Sequence, residues 1–230
     1  MKELINKNLI ELRGQIADAC EEHDRDTDDI VIVAVSKTFP AQLIKTVIAA
    51  GIHDIGESRL QHAESKILEL GPIARYHMIG QLQTNKVKKA VSLFDVIQSV
   101  GSLKLAKEIN RHADEIERTI ECLIQINITN NPDQAGVSPS EASKLADQIS
   151  HMEHISLAGL MTIGPHTDDE SDIRTAFAQC RSLFENIRSN ADEHFDTLSM
   201  GMSNDFRLAI AEGSTMIRIG TGLFGPRQQY

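Results

Sequence analysis

The chain has 230 residues, 41% of them hydrophobic, enough to bury a full core and, for an α/β barrel, ordinarily the length of one domain. Its formal net charge of −10 excludes a general binder of nucleic acid or of anionic membranes, because the summed field repels polyanions, while one small anion held locally stays compatible. Cys20, Cys122 and Cys180 are odd in number and form no C-x-x-C pair, and there is neither an apolar leader nor a run near the ~20 residues of a membrane span; the expectation is a soluble, unexported protein of the reducing cytoplasm with no disulfide framework and no zinc site.

Residues 1 to about 22 place Ile5, Leu9, Leu12, Ile16 and Ala19 at alternating four- and three-residue steps, which predicts an amphipathic helix packed on the outside of the remaining fold. The run Ile30 to Val35 reads as a strand, and Pro40 to Ala50, with Leu43, Ile44, Val47 and Ile48 on one stripe and Gly51 as its stop, reads as the helix after it. Further strands are predicted at His53 to Ile55, Tyr76 to Ile79, Asp95 to Val100, Ile120 to Ile128, Ile155 to Met161, Thr197 to Met200 and Thr215 to Ile219, so the expected count is eight. Between them, Ser138-Pro139-Ser140-Glu141 is a capping box that opens a helix, and Asp172 to Asn190 carries Phe177, Leu183, Phe184 and Ile187 inward. Short strands alternating with helices, without a long linker, imply a single (β/α)8 TIM-type barrel over residues 1–230 with an additional N-terminal helix; an open doubly wound sheet is the alternative, because periodicity does not report closure.

Lys37 ends the first strand, in Val35-Ser36-Lys37, and in a barrel every strand C-terminus feeds one face. There it converges with residues near Gly201 and with Arg218 of Met216-Ile217-Arg218-Ile219-Gly220-Thr221-Gly222, although these are distant in sequence. A desolvated barrel mouth and a neighbouring cation both favour the neutral amine that a Schiff base requires. Arg218 alternates with two isoleucines and so points into the barrel, where it meets either a carboxylate such as Glu57 or Asp205, or a ligand nitrogen. Lysine, arginine and glycine loop together suit pyridoxal phosphate.

Gly220-Thr221-Gly222-Leu223-Phe224-Gly225 matches G-x-G-x-x-G in form, yet no acidic residue lies ~20 positions on, so a dinucleotide fingerprint is rejected and the glycines are read as letting backbone N–H groups approach an anion. Ser203 reads first as the N-cap of a helix from Phe206 to Ala211, whose N-terminus would also offer N–H groups to a phosphate. His151 and His154 lack a third ligand at sensible spacing, so no metal site is expected, and Lys86, Lys88 and Lys89 read as an exposed helix face.

Six segments then carry a resemblance over nearly the whole chain. Ala34 to Thr38, His77 to Lys86, Gln125 to Ile128, Gly159 to Met161, Leu198 to Asp205 and Gly213 to Thr221 are similar to the motifs of the pyridoxal phosphate homeostasis protein family. The resemblance implies a barrel related to the N-terminal domain of alanine racemase, with Lys37 as the Schiff-base lysine for pyridoxal 5′-phosphate, Arg218 facing the pyridine nitrogen, and Ser203, Gly220 and Thr221 around the phosphate. One departure is Gly56-Glu57-Ser58-Arg59, where the family carries asparagine at the position of Ser58. It puts one hydrogen bond to the cofactor ring or a neighbouring loop in question.

The implied function is a non-catalytic carrier and buffer of the cofactor, with pyridoxal phosphate-dependent apo-enzymes as recipients and a monomeric state expected. The alternatives are a pyridoxal phosphate-dependent enzyme such as an amino-acid racemase, and a barrel that binds some other phosphate non-covalently. Racemisation needs a second base opposite Lys37, typically a tyrosine from a second domain. The chain has only Tyr76 and Tyr230, and the sequence ends just after the eighth strand.

Overall fold

The computed structural model describes residues 1–226. Eight parallel strands close into a barrel in chain order: β1 (Val31–Val35), β2 (Asp54–Glu57), β3 (Arg75–Met78), β4 (Val96–Val100), β5 (Ile120–Ile126), β6 (Ile155–Thr162), β7 (Thr197–Met202) and β8 (Met216–Ile219). Closure is made by β8 on β1, with Ile32 opposite Ile217 and Val33 opposite Arg218, so the open-sheet alternative is excluded. The helices are α1 (Lys2–Glu22), α2 (Ala41–Ala49), α3 (Leu60–Leu70), α4 (Val87–Leu93), α5 (Leu103–Asp114), α6 (Pro139–Ser150), α7 (Glu170–Arg188), α8 (Phe206–Ala211) and α9 (Thr221–Phe224).

The expected stripes are the buried ones. Ile5, Leu9, Leu12, Ile16 and Ala19 of α1 are all inside, as are Phe177, Phe184 and Ile187 of α7, whereas Leu183 is only partly buried against the same cluster. Each helix covers an apolar strand face with one stripe of its own, which is the driving force for wrapping the barrel. α1 lies across α8 and α9 and is tied there: Asn8 Nδ2 donates to the Leu223 carbonyl at 3.0 Å, and beyond its end Arg25 donates to the carbonyls of Ile210 (2.9 Å) and Ser214 (2.6 Å). The N-terminal segment therefore braces the C-terminal end of the barrel, where β8 and its loop must be held.

Several boundaries differ from expectation for identifiable reasons. β2 starts at Asp54 and runs on to Glu57, because its polar residues are paired in register with β3. β5 stops at Ile126, since Asn127 turns its N–H to the Val137 carbonyl at 2.8 Å. At α6 the capping box closes side chain to side chain, Ser138 Oγ donating to Glu141 Oε2 at 2.7 Å, without a bond to the helix backbone. Lys86, Lys88 and Lys89 are exposed as expected, and Lys89 pairs with Glu64 at 2.5 Å. His151 and His154 bond to the carbonyls of Asp147 and Arg118, and no cluster of metal-ligating side chains occurs among the described residues. No helix there is long and apolar enough to cross a membrane.

Candidate functional site

The C-terminal ends of the strands open into a cleft of about 1030 Å3 that is lined by Lys37, Ser58, Ser203, Arg218, Gly220 and Thr221 among others. All five residues singled out from the sequence as a ligand site thus reach one cavity, on the face where a (β/α) barrel keeps its chemistry. Lys37 is half-buried there, one residue past a tightly fixed serine.

Ser36 is fully buried, and each of its polar groups is occupied. Its N–H donates to the Gly56 carbonyl (3.0 Å), its carbonyl accepts from Phe39 N–H (2.7 Å) and Lys66 Nζ (2.9 Å), and its hydroxyl donates to Glu57 Oε1 (2.5 Å). Lys66 also pairs with Glu57 at 2.7 Å, leaving Glu57 Oε2 buried without a partner. This polar knot fixes the backbone from which Lys37 projects, and a side chain on so constrained a base is pre-organised. Downstream, Phe39 stacks on Phe224 of α9 with ring centroids 4.7 Å apart, joining the Lys37 turn to the glycine loop after β8.

Arg218 is only 5% exposed and extends into the barrel. Its guanidinium donates to Ser199 Oγ and to the Thr162 carbonyl, both at 2.7 Å. The carboxylate partner considered from the sequence is not formed: Glu57 is engaged by Lys66, and Asp205 accepts from Met202 N–H at 2.5 Å, so Arg218 has no ion pair among the described residues. Burial pushes its pKa down to about 10, opposed by the field of Asp205, and burial likewise raises that of Asp205. A cation desolvated to this degree with neutral acceptors alone is costly unless a ligand completes its coordination.

Ser203 does not cap α8. Asp205 holds the N-cap position, and the Ser203 hydroxyl instead accepts from Gly220 N–H at 3.3 Å and Gly222 N–H at 3.1 Å, across from β7 to the loop after β8. Two backbone donors from a glycine loop thus converge on one oxygen at the cleft wall, the arrangement a phosphate oxygen would complete. A Cβ at Gly222 would sit 3.4 Å from that hydroxyl, in the space the approach requires. Gly201, at φ +93° and with Ala209 Cβ 2.6 Å from where a Cβ would lie, turns the chain so that Ser203 reaches it.

Ser58 lines the cleft, and its carbonyl lies 2.1 Å from where a Cβ on Gly80 would be, so its loop packs directly on the turn after β3. Its hydroxyl makes no hydrogen bond among the described residues. Sequence reasoning missed Ser36, Lys66, Ser199 and the Thr162 carbonyl as supports; the available signal was a polar residue at an inward position of an otherwise apolar strand, as in Leu198-Ser199-Met200. The three cysteines are buried and unpaired, Cys180 with a thiol pKa pushed up to about 12, so they are inert toward the site.

Chemically the cleft offers a primary amine, a buried guanidinium and convergent backbone donors. These match an aldehyde, a ring nitrogen and a phosphate carried by one small molecule. The family described as the alanine racemase N-terminal domain matches residues 17–228. A protein of Pasteurella multocida called pyridoxal phosphate homeostasis protein is 38% identical over 228 residues, covering 97% of both chains. The structure of PipY from Synechococcus elongatus with pyridoxal phosphate bound superposes with a TM-score of 0.84 at 37% identity, over 96% of this chain and all of that one. Alanine racemase of Clostridium difficile is similar in fold alone, with a TM-score of 0.76 at 17% identity, over 99% of this chain and 58% of that one.

Proposed function

Since the chain belongs to the pyridoxal phosphate homeostasis protein family, built on the alanine racemase N-terminal domain, we propose that it binds pyridoxal 5′-phosphate in the barrel-mouth cleft and holds it as a cytoplasmic reserve of cofactor. When bound, the cofactor supplies an aldehyde with which a primary amine condenses, losing water. Lys37 is the amine, fixed from below by the Ser36, Glu57 and Lys66 knot. Ser203 and the backbone of Gly220 and Thr221 take the phosphate, and Arg218 donates to the pyridine nitrogen. Even with its pKa lowered to about 10, Arg218 keeps its proton in preference to a pyridine, so the ring stays uncharged and withdraws electrons weakly.

The observation that carries this reading is the convergence of Gly220 and Gly222 N–H groups on Ser203 Oγ in the same cleft as Lys37 and Arg218. A carrier is favoured over a racemase because the second base lacks support. The Tyr76 hydroxyl donates to the Gly71 carbonyl at 2.8 Å and burial raises its pKa, while Tyr230 lies outside the described residues. One domain over residues 1–230 carries the whole site, acting as a monomer that delivers cofactor to apo-enzymes.

The test is absorbance of the purified protein with pyridoxal 5′-phosphate beside Lys37→Ala, followed by borohydride reduction and peptide mapping. A visible band and an adduct on Lys37, both lost in the variant, are expected. Cofactor bound without an adduct would leave a non-covalent phosphate site, and racemisation of common amino acids above the Lys37→Ala background would replace the carrier with an enzyme.

A further inference from the structure

A hydrogen-bonded chain runs through the barrel lumen and ends on Arg218, having begun at the opposite face. At the first residue of β2, Asp54 Oδ1 lies 2.8 Å from His77 Nε2, and His77 Nδ1 lies 2.9 Å from Gln98 Nε2. Gln98 Oε1 accepts from Ser199 Oγ at 2.8 Å, and Ser199 Oγ accepts from Arg218 at 2.7 Å. β4 and β7 are not neighbours in the sheet, so the bond between Gln98 and Ser199 crosses the interior. His77, Gln98 and Ser199 are all fully buried, in a space that barrels usually fill with branched aliphatic side chains.

The direction of this chain follows from its chemistry. Asp54 as a carboxylate only accepts, so His77 carries hydrogen on Nε2, and a neutral imidazole then offers a lone pair at Nδ1. The Gln98 amide must turn its nitrogen to that lone pair, and its second hydrogen finds Met216 Sδ at 3.2 Å. Its oxygen is left for Ser199, whose single hydrogen is thereby used. Ser199 accordingly shows Arg218 only lone pairs. Reversing the amide would set its oxygen against the Nδ1 lone pair of His77 and cost Ser199 the acceptor for its hydrogen, and in a buried site two acceptors face to face cost the desolvation of each group.

We propose that Gln98, oriented by His77 and Asp54 and acting through Ser199, is a positioning residue that fixes how Arg218 presents its guanidinium to the cofactor ring, so that the far face of the barrel is felt at the cofactor. The inference rests on Arg218 facing that ring. The other anchor of Arg218, the Thr162 carbonyl, is backbone and does not change with side-chain chemistry.

The decisive variant is Asp54→Ala. Asp54 is partly exposed, and its loss frees His77 to take the other tautomer without cutting into the core. Gln98→Met, which keeps the volume and cuts the chain, is the companion. Arg75→Met is the control, since Arg75 pairs at the same face with Glu121 and, at 3.7 Å, with Asp54, so its loss removes the ion pair that Asp54→Ala also removes while leaving the bond from Asp54 to His77 in place. Each protein is loaded with pyridoxal 5′-phosphate, and the band position, the rate of cofactor release and borohydride trapping on Lys37 are measured.

We expect trapping on Lys37 throughout. Asp54→Ala and Gln98→Met should shift the band and speed release about threefold to tenfold, the worth of roughly one hydrogen bond, while Arg75→Met matches wild type. A wild-type band and release rate in Asp54→Ala overturns the proposal, as does an equal shift in Arg75→Met, which would mean general loosening of that face. If Gln98→Met does not fold, Asp54→Ala decides alone. Absence of trapping in the wild type sinks the reading of the site itself, an outcome distinct from trapping without a shift.

Discussion

The two sides of the same strands are built on opposite principles. Outward, β8 turns Ile217 and Ile219 to the helices and β7 turns Leu198 and Met200, and the whole layer between strands and helices is one continuous apolar cluster. Inward, those strands present Arg218 and Ser199, joined to Gln98 and His77 of β4 and β3, among buried Val33, Val96 and Met216 and a small apolar cluster of Leu123, Ala158 and Met161 with Ile163 beside it. The outer layer supplies stability that does not depend on direction, because area removed from water is all that counts. Polar bonds inside the lumen count only when every partner is in place. A barrel that placed its polar network outward would lose the helices; placed inward, the network is paid for by that shell and reaches the cleft.

One polar knot breaks this division, and it gives the largest expected effect. Glu57 lies two residues after the buried, outward Ile55 and so shares its face, yet carries a charge there and pairs with Lys66 of α3 beneath the Lys37 turn. Lys66→Met leaves that carboxylate 1% exposed with only Ser36 as donor, so urea unfolding should show a loss of about 4 kcal/mol. Adding Glu57→Gln should recover most of the loss, since an uncharged amide tolerates the site. A loss under about 1 kcal/mol for the single change would mean that water reaches Glu57 and that the knot does not hold Lys37 rigid.

Next in size is the ordinary outer layer. Ile109, fully buried on α5, belongs to the outer apolar cluster and not to the chain that ends on Arg218, and Ile109→Ala should cost about 3 kcal/mol by cavity formation. The absorption band of bound cofactor should stay where it is in wild type. A shifted band would show that shell and lumen are coupled through packing, and the contrast between them would fail.

What could be read in the sequence divides along the same line. The α1 stripe and the α7 stripe follow from a period of 3.6, and the eight strands from short apolar runs, because the outer layer is made of repeated local patterns. Lys37 and Arg218 were legible as candidates since a strand end and an alternating arginine are local features too. Ser203 reads as a cap of α8 because its actual partners, Gly220 and Gly222 at the start of α9, are brought near only by barrel closure. The bond from Gln98 to Ser199 spans 101 residues and a lumen, and no periodicity encodes it. Long-range polar pairing is a property of closure, which the pattern of single strands does not contain.

The smallest effect tests whether the lumen cation is strained without its ligand. Burial lowers the Arg218 pKa from the usual guanidinium range to about 10, so between the two the unfolded chain binds more protons than the folded one. The cost of burying the charge is therefore complete below about pH 10 and shrinks as pH rises through the folded value. Arg218→Met removes this term and leaves every other titration in common. In protein freed of cofactor, wild type should gain on Arg218→Met by about 0.8 kcal/mol between roughly pH 8 and pH 10.5, measured as a difference of urea midpoints. Loading both with pyridoxal 5′-phosphate should erase the gain in wild type, because a ring nitrogen that accepts from the guanidinium favours its charged form and lifts its pKa. A gain unchanged by cofactor would place the ligand elsewhere in the cleft, with Arg218 serving only the lumen.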